Sequence, residues 1–264
     1  MTLTVSEGLD GMWKSQHVGR LFLVSVLAAL AVGAVSATAS AQSPAVTGRV
    51  IAPALSPATG QVVGIAHPVV IRFATPVSDR ASAERGVQIT PSTPVTGQFS
   101  WIDDHSLQWT PDRFWPAHTA VTVQAAGARS QFQVGDALVA VANTTTHQFT
   151  VSINDQVVQT MPASMGKPGY ETPLGTFPVI EQFRDMIMDS STYGVPVDSE
   201  QGYRLYVEYA TRITWGGIFV HAAPWSVNSQ GFENVSHGCI NLSTDNARWF
   251  YDNAKIGDPV IVTD

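Results

Sequence analysis

Short apolar segments with a period of two recur through the middle of the chain and constrain its fold more than any other feature. Apolar residues recur at every second position in five such segments: Val69 and Ile71, Val87 and Ile89, Phe99 and Trp101, Leu107 and Trp109, and Val121 and Val123. This alternation is typical of strands with one face on a core. Turn-forming clusters separate them. The pattern predicts a small β-sandwich of immunoglobulin-like type over residues 65–134, with Trp101 and Trp109 in its core.

A second unit begins at Gly135 and extends to Asp264. Its one helix is predicted from Ser243 to Asn253, because Ala247, Phe250, Tyr251 and Ala254 share a face. Apolar runs predict six strands in this unit: 138–142, 148–153, 157–161, 176–180, 218–221 and 259–262. Residues 42–64, rich in Pro, Ala and Gly, are predicted to be a linker or an edge strand. The fold class is therefore mainly β, with a second β-sandwich domain over residues 135–264 that carries a short α-helix.

The first 41 residues have the pattern of a targeting segment. Lys14 and Arg20 precede an apolar run without charge, residues 21–35, and small residues follow up to Ala41. This order predicts a signal peptide cleaved near Ala41, with an uncleaved membrane anchor as the alternative. We therefore expect an exported protein of the periplasm or cell envelope. The net charge of −7 argues against a nucleic-acid partner, which selects for a basic face.

The chain holds a single cysteine, Cys239, so it has no intramolecular disulfide framework. The motif Ser236–Asn241 surrounds it, and His221 lies upstream. A thiol becomes a strong nucleophile when an imidazole takes its proton. Gly238 allows a tight turn, in which the amides of Gly238 and Cys239 are expected to face an oxyanion.

Residue types alone leave three interpretations of this segment open. Cys239 is a catalytic nucleophile with His221 as its base, or His221, His237 and Cys239 are ligands of an open zinc site. In the third interpretation, His221 is a core histidine and Cys239 is a small buried side chain without chemistry.

The sequence SHGCIN, preceded by an upstream histidine, resembles the catalytic motif of the L,D-transpeptidases, exported enzymes that cross-link peptidoglycan. The resemblance covers about half of the chain and includes four further segments: MPASMGKPGYETPLGTF, IMDSSTYGVPV, HAAPWS and NARWFYD. The preceding sandwich resembles the immunoglobulin-like module of mycobacterial-type members. The resemblance implies an immunoglobulin-like domain followed by an L,D-transpeptidase catalytic domain.

The resemblance also implies the roles of the motif residues. Cys239 becomes the acylated nucleophile and His221 the general base. The remaining motif residues, His237, Gly238 and Asn241, shape the loop and the oxyanion site.

Further positions match the substrate pocket of the family. The resemblance places Met188 and Tyr193 on a lid over the thiol and Tyr203 in the pocket wall, and it makes Trp225 a support for the loop after His221. Ala222 stands where close relatives often have Ser, so the resemblance points to its backbone carbonyl as the group that orients the imidazole.

The implied substrate is a peptidoglycan tetrapeptide stem that ends in diaminopimelate and D-Ala. Cys239 attacks the L,D bond, D-Ala leaves, and an amine of an acceptor stem takes the acyl group in a 3→3 cross-link. No cofactor is expected, and carbapenems are expected to acylate the thiol. Two alternatives remain: an L,D-carboxypeptidase that uses water as the acceptor, and a non-catalytic wall-binding module.

Overall fold

The computed structural model describes residues 51–264. The predicted signal peptide or anchor, residues 1–41, lies outside the described residues. Within residues 51–264, no helix is long and apolar enough to cross a membrane.

The N-terminal part of the described chain is built from two four-stranded sheets. One sheet has the order β1-β3-β6-β5 and the other the order β2-β8-β7-β4, with a short helix, α1, before β4. The elements are β1 (Ala54–Ser56), β2 (Val62–Val63), β3 (Val69–Arg72), α1 (Arg80–Arg85), β4 (Val87–Pro91), β5 (Gly97–Trp101), β6 (Ser106–Pro111), β7 (Ala120–Ala125) and β8 (Ala128–Val134). The segment predicted as a linker or edge strand thus supplies β1 and β2, which are edge strands of the two sheets.

The alternating side chains of both sheets meet in one hydrophobic core. Val69, Ile71, Leu107 and Val123 have no exposed surface in this core. Trp109 is buried there, as the alternation predicts, whereas Trp101 is half-buried at its margin and stacks on Phe73 with ring centroids 6.0 Å apart. Side chains from two sheets that share one core are the defining feature of a sandwich.

The C-terminal part contains a five-stranded sheet, β11-β10-β9-β17-β12, and a four-stranded sheet, β13-β14-β15-β16. Two short 3₁₀ helices, η1 and η2, lie in its loops. The elements are β9 (Leu138–Asn143), β10 (Gln148–Ile153), β11 (Gln156–Pro162), β12 (Gly175–Pro178), β13 (Glu181–Asp189), η1 (Ser190–Tyr193), β14 (Arg204–Arg212), β15 (Phe219–Ala222), η2 (Pro224–Ser226), β16 (Ile240–Leu242), α2 (Thr244–Asn253) and β17 (Pro259–Thr263).

The local sequence explains several of these elements. Asn154 and Asp155 both have a positive φ, of 49° and 65°, as the two-residue turn between β10 and β11 requires. Ser243 caps α2 by accepting a hydrogen bond from the amide of Asn246 at 3.3 Å. The helix ends at Asn253, the predicted last residue.

The two faces of the sheet β13-β14-β15-β16 pack against different groups of side chains. One face joins the five-stranded sheet and α2 in the main core, to which Phe149 and Phe250 contribute rings at right angles, 5.0 Å apart. The other face carries a smaller cluster that includes Met188, Phe219 and Cys239. The cysteine therefore lies on the sheet face opposite the main core.

Backbone contacts join the N-terminal part to the segment between α2 and β17. The amide of Gly64 donates to the carbonyl of Ile256, and that of Ala66 to the carbonyl of Gly257, both at 2.8 Å. A Cβ at Gly64 would lie 2.0 Å from the backbone nitrogen of Asp258, so only glycine fits this contact. The division of the chain at residue 135 stays a prediction.

Candidate active site

Strand pairing brings His221 and Cys239 to the same face of the sheet β13-β14-β15-β16. β15 and β16 are parallel, with Val220 opposite Ile240 and His221 opposite Asn241. Cys239 immediately precedes β16, so this register places it beside Phe219, two residues before His221 and on the same face of the sheet. Both side chains are buried, with 3% of His221 and 8% of Cys239 exposed.

The imidazole of His221 is held by a backbone carbonyl. Its Nδ1 lies 2.8 Å from the oxygen of Ala222. Because a carbonyl only accepts, Nδ1 must be the protonated nitrogen, and Nε2 carries the free lone pair. The methyl group of Ala222 is buried and lines neither of the cavities described below, so this residue acts on the imidazole through its carbonyl alone.

Burial sets the charge state of both groups. Desolvation lowers the pKa of His221 to about 4, against the opposing effect of the Ala222 carbonyl. Desolvation raises the pKa of Cys239 to about 11, although the amide of Phe219 and the charge of Arg212 lower it. At neutral pH the resting site therefore holds a neutral imidazole and a thiol. That thiol donates to the carbonyl of Gly217 at 3.7 Å.

A network of hydroxyl groups fixes the loop before Cys239. Ser236 Oγ donates to the carbonyl of Cys239 at 2.6 Å and accepts from the amide of Gly238 at 3.0 Å. Thr172 Oγ1 donates to the carbonyl of Gly238 at 2.7 Å. Gly238 has a φ of +115°, and a Cβ there would lie 2.9 Å from Cδ1 of Ile218, so glycine is required. The prediction that the Gly238 amide faces an oxyanion is wrong for this state, because Ser236 accepts its hydrogen bond.

The side chain of His237 packs with aromatic rings near the thiol rather than against Cys239. Its ring lies 4.7 Å from that of Tyr170 and 5.3 Å from that of Tyr203. Nε2 lies 3.3 Å from Oε1 of Gln201. Within residues 51–264, no group of three His, Cys, Asp or Glu side chains is arranged to hold a metal ion.

Two cavities lie at the site, and Cys239 lines one of them. The thiol cavity, of about 300 Å³, is lined by Met188, Tyr203, His221, Trp225, Cys239 and Asn241, among others. The arginine cavity, of about 270 Å³, is lined by Met188, Tyr193, Tyr203, Arg212, Trp215 and Gly217, among others. Met188 and Tyr203 line both, so these two side chains form the partition. Tyr193 lines only the arginine cavity, with its ring 6.1 Å from that of Tyr203.

Trp225 and Asn241 complete the wall of the thiol cavity. The ring of Trp225 is half exposed and lies 6.1 Å from the imidazole of His221. The amide nitrogen of Asn241 donates to Ser226 Oγ at 3.2 Å, and its Oδ1 is buried without a hydrogen-bond partner. Asn241 is not the group that orients His221, because the Nδ1 of His221 is already bound to Ala222.

Two parts of the chain match known families. Residues 137–262 match the L,D-transpeptidase catalytic domain, and residues 13–129 match a bacterial Ig domain. L,D-transpeptidase 1 of Mycobacterium tuberculosis is 51% identical over 208 residues, which cover 79% of this chain and 83% of that protein. The chain belongs to the L,D-transpeptidase family.

Solved structures of L,D-transpeptidases share the fold described above. An LD transpeptidase in complex with imipenem matches with a TM-score of 0.78 and 51% identity, over 80% of this chain and 99% of that one. L,D-transpeptidase 3 from Mycobacterium tuberculosis, in complex with a faropenem-derived adduct, matches with a TM-score of 0.75 and 47% identity, over 81% and 98% of the two chains. These similarities confirm the predicted fold class, an immunoglobulin-like domain followed by an L,D-transpeptidase domain.

The structure brings all ten sequence-predicted site residues of this L,D-transpeptidase into one region. It adds several that the sequence reasoning missed: Thr172, Arg212, Trp215, Gly217, Ser226 and Ser236. Thr172 and Ser236 lie inside segments that carried the resemblance, so their position in those segments was an available signal. Arg212 is the last residue of β14, a strand that the sequence reasoning did not predict, and Trp215 lies in the turn after it.

Proposed function

We propose that this L,D-transpeptidase forms a thioester on Cys239 and that His221 is its general base. The observation that carries the proposal is the fixed tautomer of His221. A buried imidazole with Nδ1 bound to a carbonyl presents an unprotonated Nε2 to the cavity that also contains the only thiol of the chain. In this proposal, rotation about χ1 of Cys239 releases the sulfur from the carbonyl of Gly217 before it reacts.

The first half-reaction is an acyl transfer from the donor stem to the enzyme. The sulfur attacks the carbonyl between the L-centre of diaminopimelate and D-Ala, while Nε2 of His221 takes the thiol proton. The C–N bond breaks, the same proton passes to the leaving amine, and D-Ala departs. Because burial disfavours the charged form of both groups, we expect proton transfer and attack to occur together rather than through a stable ion pair.

Negative charge on the carbonyl oxygen requires backbone donors near Cys239. The Gly238 amide is bound to Ser236, so we assign the Cys239 amide as the donor to the oxyanion. Ser236 and Thr172 hold both neighbouring carbonyls, so this amide has a fixed direction. His237 and Gly238 then act through loop geometry, and Asn241 through the wall of the thiol cavity.

The second half-reaction retraces the first with a new amine. Microscopic reversibility requires the acceptor amine to enter where D-Ala left, on the side of His221. His221 lines the thiol cavity and not the arginine cavity. The acceptor stem therefore uses the thiol cavity, and the acyl part of the donor extends into the arginine cavity. The product is a 3→3 cross-link.

An L,D-carboxypeptidase differs only in the acceptor. Water competes with the amine at the thioester, and its access depends on how well the donor and the partition of Met188 and Tyr203 fill the space over Cys239. The buried state of Met188, with 8% exposed, favours transfer to the bound amine.

Two further parts of the proposal concern inhibitors and location. The related enzymes whose structures contain imipenem or a faropenem-derived adduct indicate that carbapenem-type lactams acylate Cys239 here. The substrate, together with the apolar segment of residues 21–35, indicates a location in the cell envelope.

The test is product analysis with purified tetrapeptide muropeptides. We expect release of D-Ala and formation of 3→3 dimers, both absent in Cys239→Ala. Tripeptide products without dimers would identify a carboxypeptidase instead. Loss of activity on treatment with a chelator, restored by zinc, would replace the thiol mechanism with the zinc site of His221, His237 and Cys239.

A further inference from the structure

Arg212 is a half-buried cation that the proposed mechanism does not use. It is the last residue of β14 and lines the arginine cavity, with 20% of its side chain exposed. The guanidinium carbon lies 4.5 Å from the ring centroid of Phe219 and 5.9 Å from that of Trp215. These rings fix the plane of the group and reduce its hydration.

A residue with an unusual backbone conformation places Arg212 on the same face of the sheet as Cys239. Tyr209 has a φ of +52°, in the left-handed region, in the middle of β14. Val207 and Ala210 both pack in the cluster of Cys239, whereas Tyr209 packs in the main core. The period of two therefore shifts at Tyr209, so that Ala210 and Arg212 face the cysteine. A strained residue that re-aims a side chain is a feature of functional sites.

The protein satisfies only part of this guanidinium. Its Nε lies 2.9 Å from Oε2 of Glu181, but without the alignment of a hydrogen bond. In the part of the chain that the structure describes, no hydrogen bond engages Nη1 or Nη2 of Arg212. Asp189, the carboxylate in the same cavity, is already bound by Ser191 and paired with Arg204. Two parallel N–H donors in a partly desolvated cavity match one ligand group well, a carboxylate.

The thiol is close to this cation. Gly217, whose carbonyl accepts from the thiol, lines the same cavity as Arg212. The positive charge of Arg212 also acts on the sulfur, since it lowers the pKa of Cys239 against the larger effect of burial. A ligand attached to the sulfur therefore reaches the guanidinium with a short side chain.

We propose that Arg212 binds the free carboxylate on the side chain of the donor residue that becomes attached to Cys239. This inference rests on the proposed function, in which the donor residue is diaminopimelate and extends into the arginine cavity. Trp215, exposed at 73%, stands at the rim of that cavity and covers the aliphatic part of the same side chain. Arg212 is thus a specificity-determining residue for the donor.

The experiment compares two tetrapeptide donors that differ in one group. Lysine in place of diaminopimelate removes only the side-chain carboxylate, so the ratio of kcat/KM for D-Ala release measures its recognition. We expect the wild type to prefer the diaminopimelate donor by about ten- to a hundredfold, the range of a charge-assisted hydrogen-bonded pair. In Arg212→Gln the ratio is expected to fall to near one. A ratio is insensitive to the fraction of folded enzyme.

Arg184→Gln is the matched control. Arg184 also pairs with a glutamate, Glu208, at 2.9 Å and also stacks on a ring, that of Tyr209, at 4.0 Å, but it lines neither cavity. It is expected to keep the wild-type ratio. Equal ratios in wild type and Arg212→Gln, or a wild type that turns over both donors equally, would overturn the role of Arg212. The proposed function would stand in both cases. A wild type that releases no D-Ala from either donor would overturn the proposed function and this inference with it.

Discussion

The charge state of the resting thiol makes a quantitative prediction about its reactivity. With a pKa of about 11, Cys239 at pH 7 is ionised in about one molecule in ten thousand, whereas a free cysteine with a pKa of about 8.5 is ionised in about three in a hundred. The higher basicity of the Cys239 thiolate raises its nucleophilicity by about a factor of ten, which offsets part of this difference in thiolate fraction. We therefore expect alkylation by iodoacetamide about thirtyfold slower than for free cysteine.

The pH dependence separates this account from a preformed ion pair. If thiol and imidazole are neutral, the alkylation rate rises tenfold per pH unit from pH 5 to pH 9, because each unit multiplies the thiolate fraction by ten. Slow access to a buried thiol lowers the whole curve but leaves its slope unchanged.

The assay is intact-mass spectrometry after timed labelling. The chain has one cysteine, so every added label reports Cys239, and Cys239→Ser is the blank. An alkylation rate that stays constant between pH 5 and pH 8 would refute the reasoning, since it requires a thiolate paired with a protonated His221 before any substrate arrives.

Three further predictions concern the arginine cavity, the contact between the N-terminal and C-terminal parts, and the core. Tyr193→Ala should raise thioester hydrolysis relative to transfer, because it opens the arginine cavity; Tyr206→Ala, exposed and away from both cavities, is the control, and an unchanged ratio of tripeptide to dimer would contradict a lid role. Burial raises the pKa of Asp258 from 3.8 to about 7, so the folded state binds the proton more tightly, and the free energy of unfolding should fall by up to about 4 kcal/mol between pH 4 and pH 7. Urea titrations of Asp258→Asn should lack this fall, and identical pH profiles would exclude the assignment. Phe250→Ala should lower the free energy of unfolding by about 3–5 kcal/mol, since the ring is fully buried against Phe149; a loss below about 1 kcal/mol in urea denaturation would mean that the core is not packed as described.

The sequence predicted those elements whose apolar pattern is local. The strand over residues 148–153 and the helix capped by Ser243 follow from periodicity and capping, and the structure contains both. β13 and β14 were not predicted, because charged residues such as Arg184 and Glu208 occupy their exposed positions and the left-handed Tyr209 interrupts the alternation.

In the site, too, local sequence patterns could be predicted, whereas contacts between distant segments could not. A motif of six consecutive residues carries Cys239, and its resemblance to a family led to His221 and the carbonyl of Ala222. The contacts of Arg212 and Thr172 join segments far apart in the chain, and only the fold brings them to the thiol. The amide of Gly238 was assigned from turn geometry, but the hydroxyl of Ser236 competes for it.

Intact-mass spectrometry with a carbapenem tests the central claim, that Cys239 is the acylated nucleophile of this L,D-transpeptidase, most directly. The full chain is incubated with imipenem, and the adduct is located by peptide mapping. The account predicts a gain of one drug mass on the peptide that contains Cys239, and no gain in Cys239→Ala. A wild-type protein without an adduct, or an adduct that persists in Cys239→Ala, would contradict it.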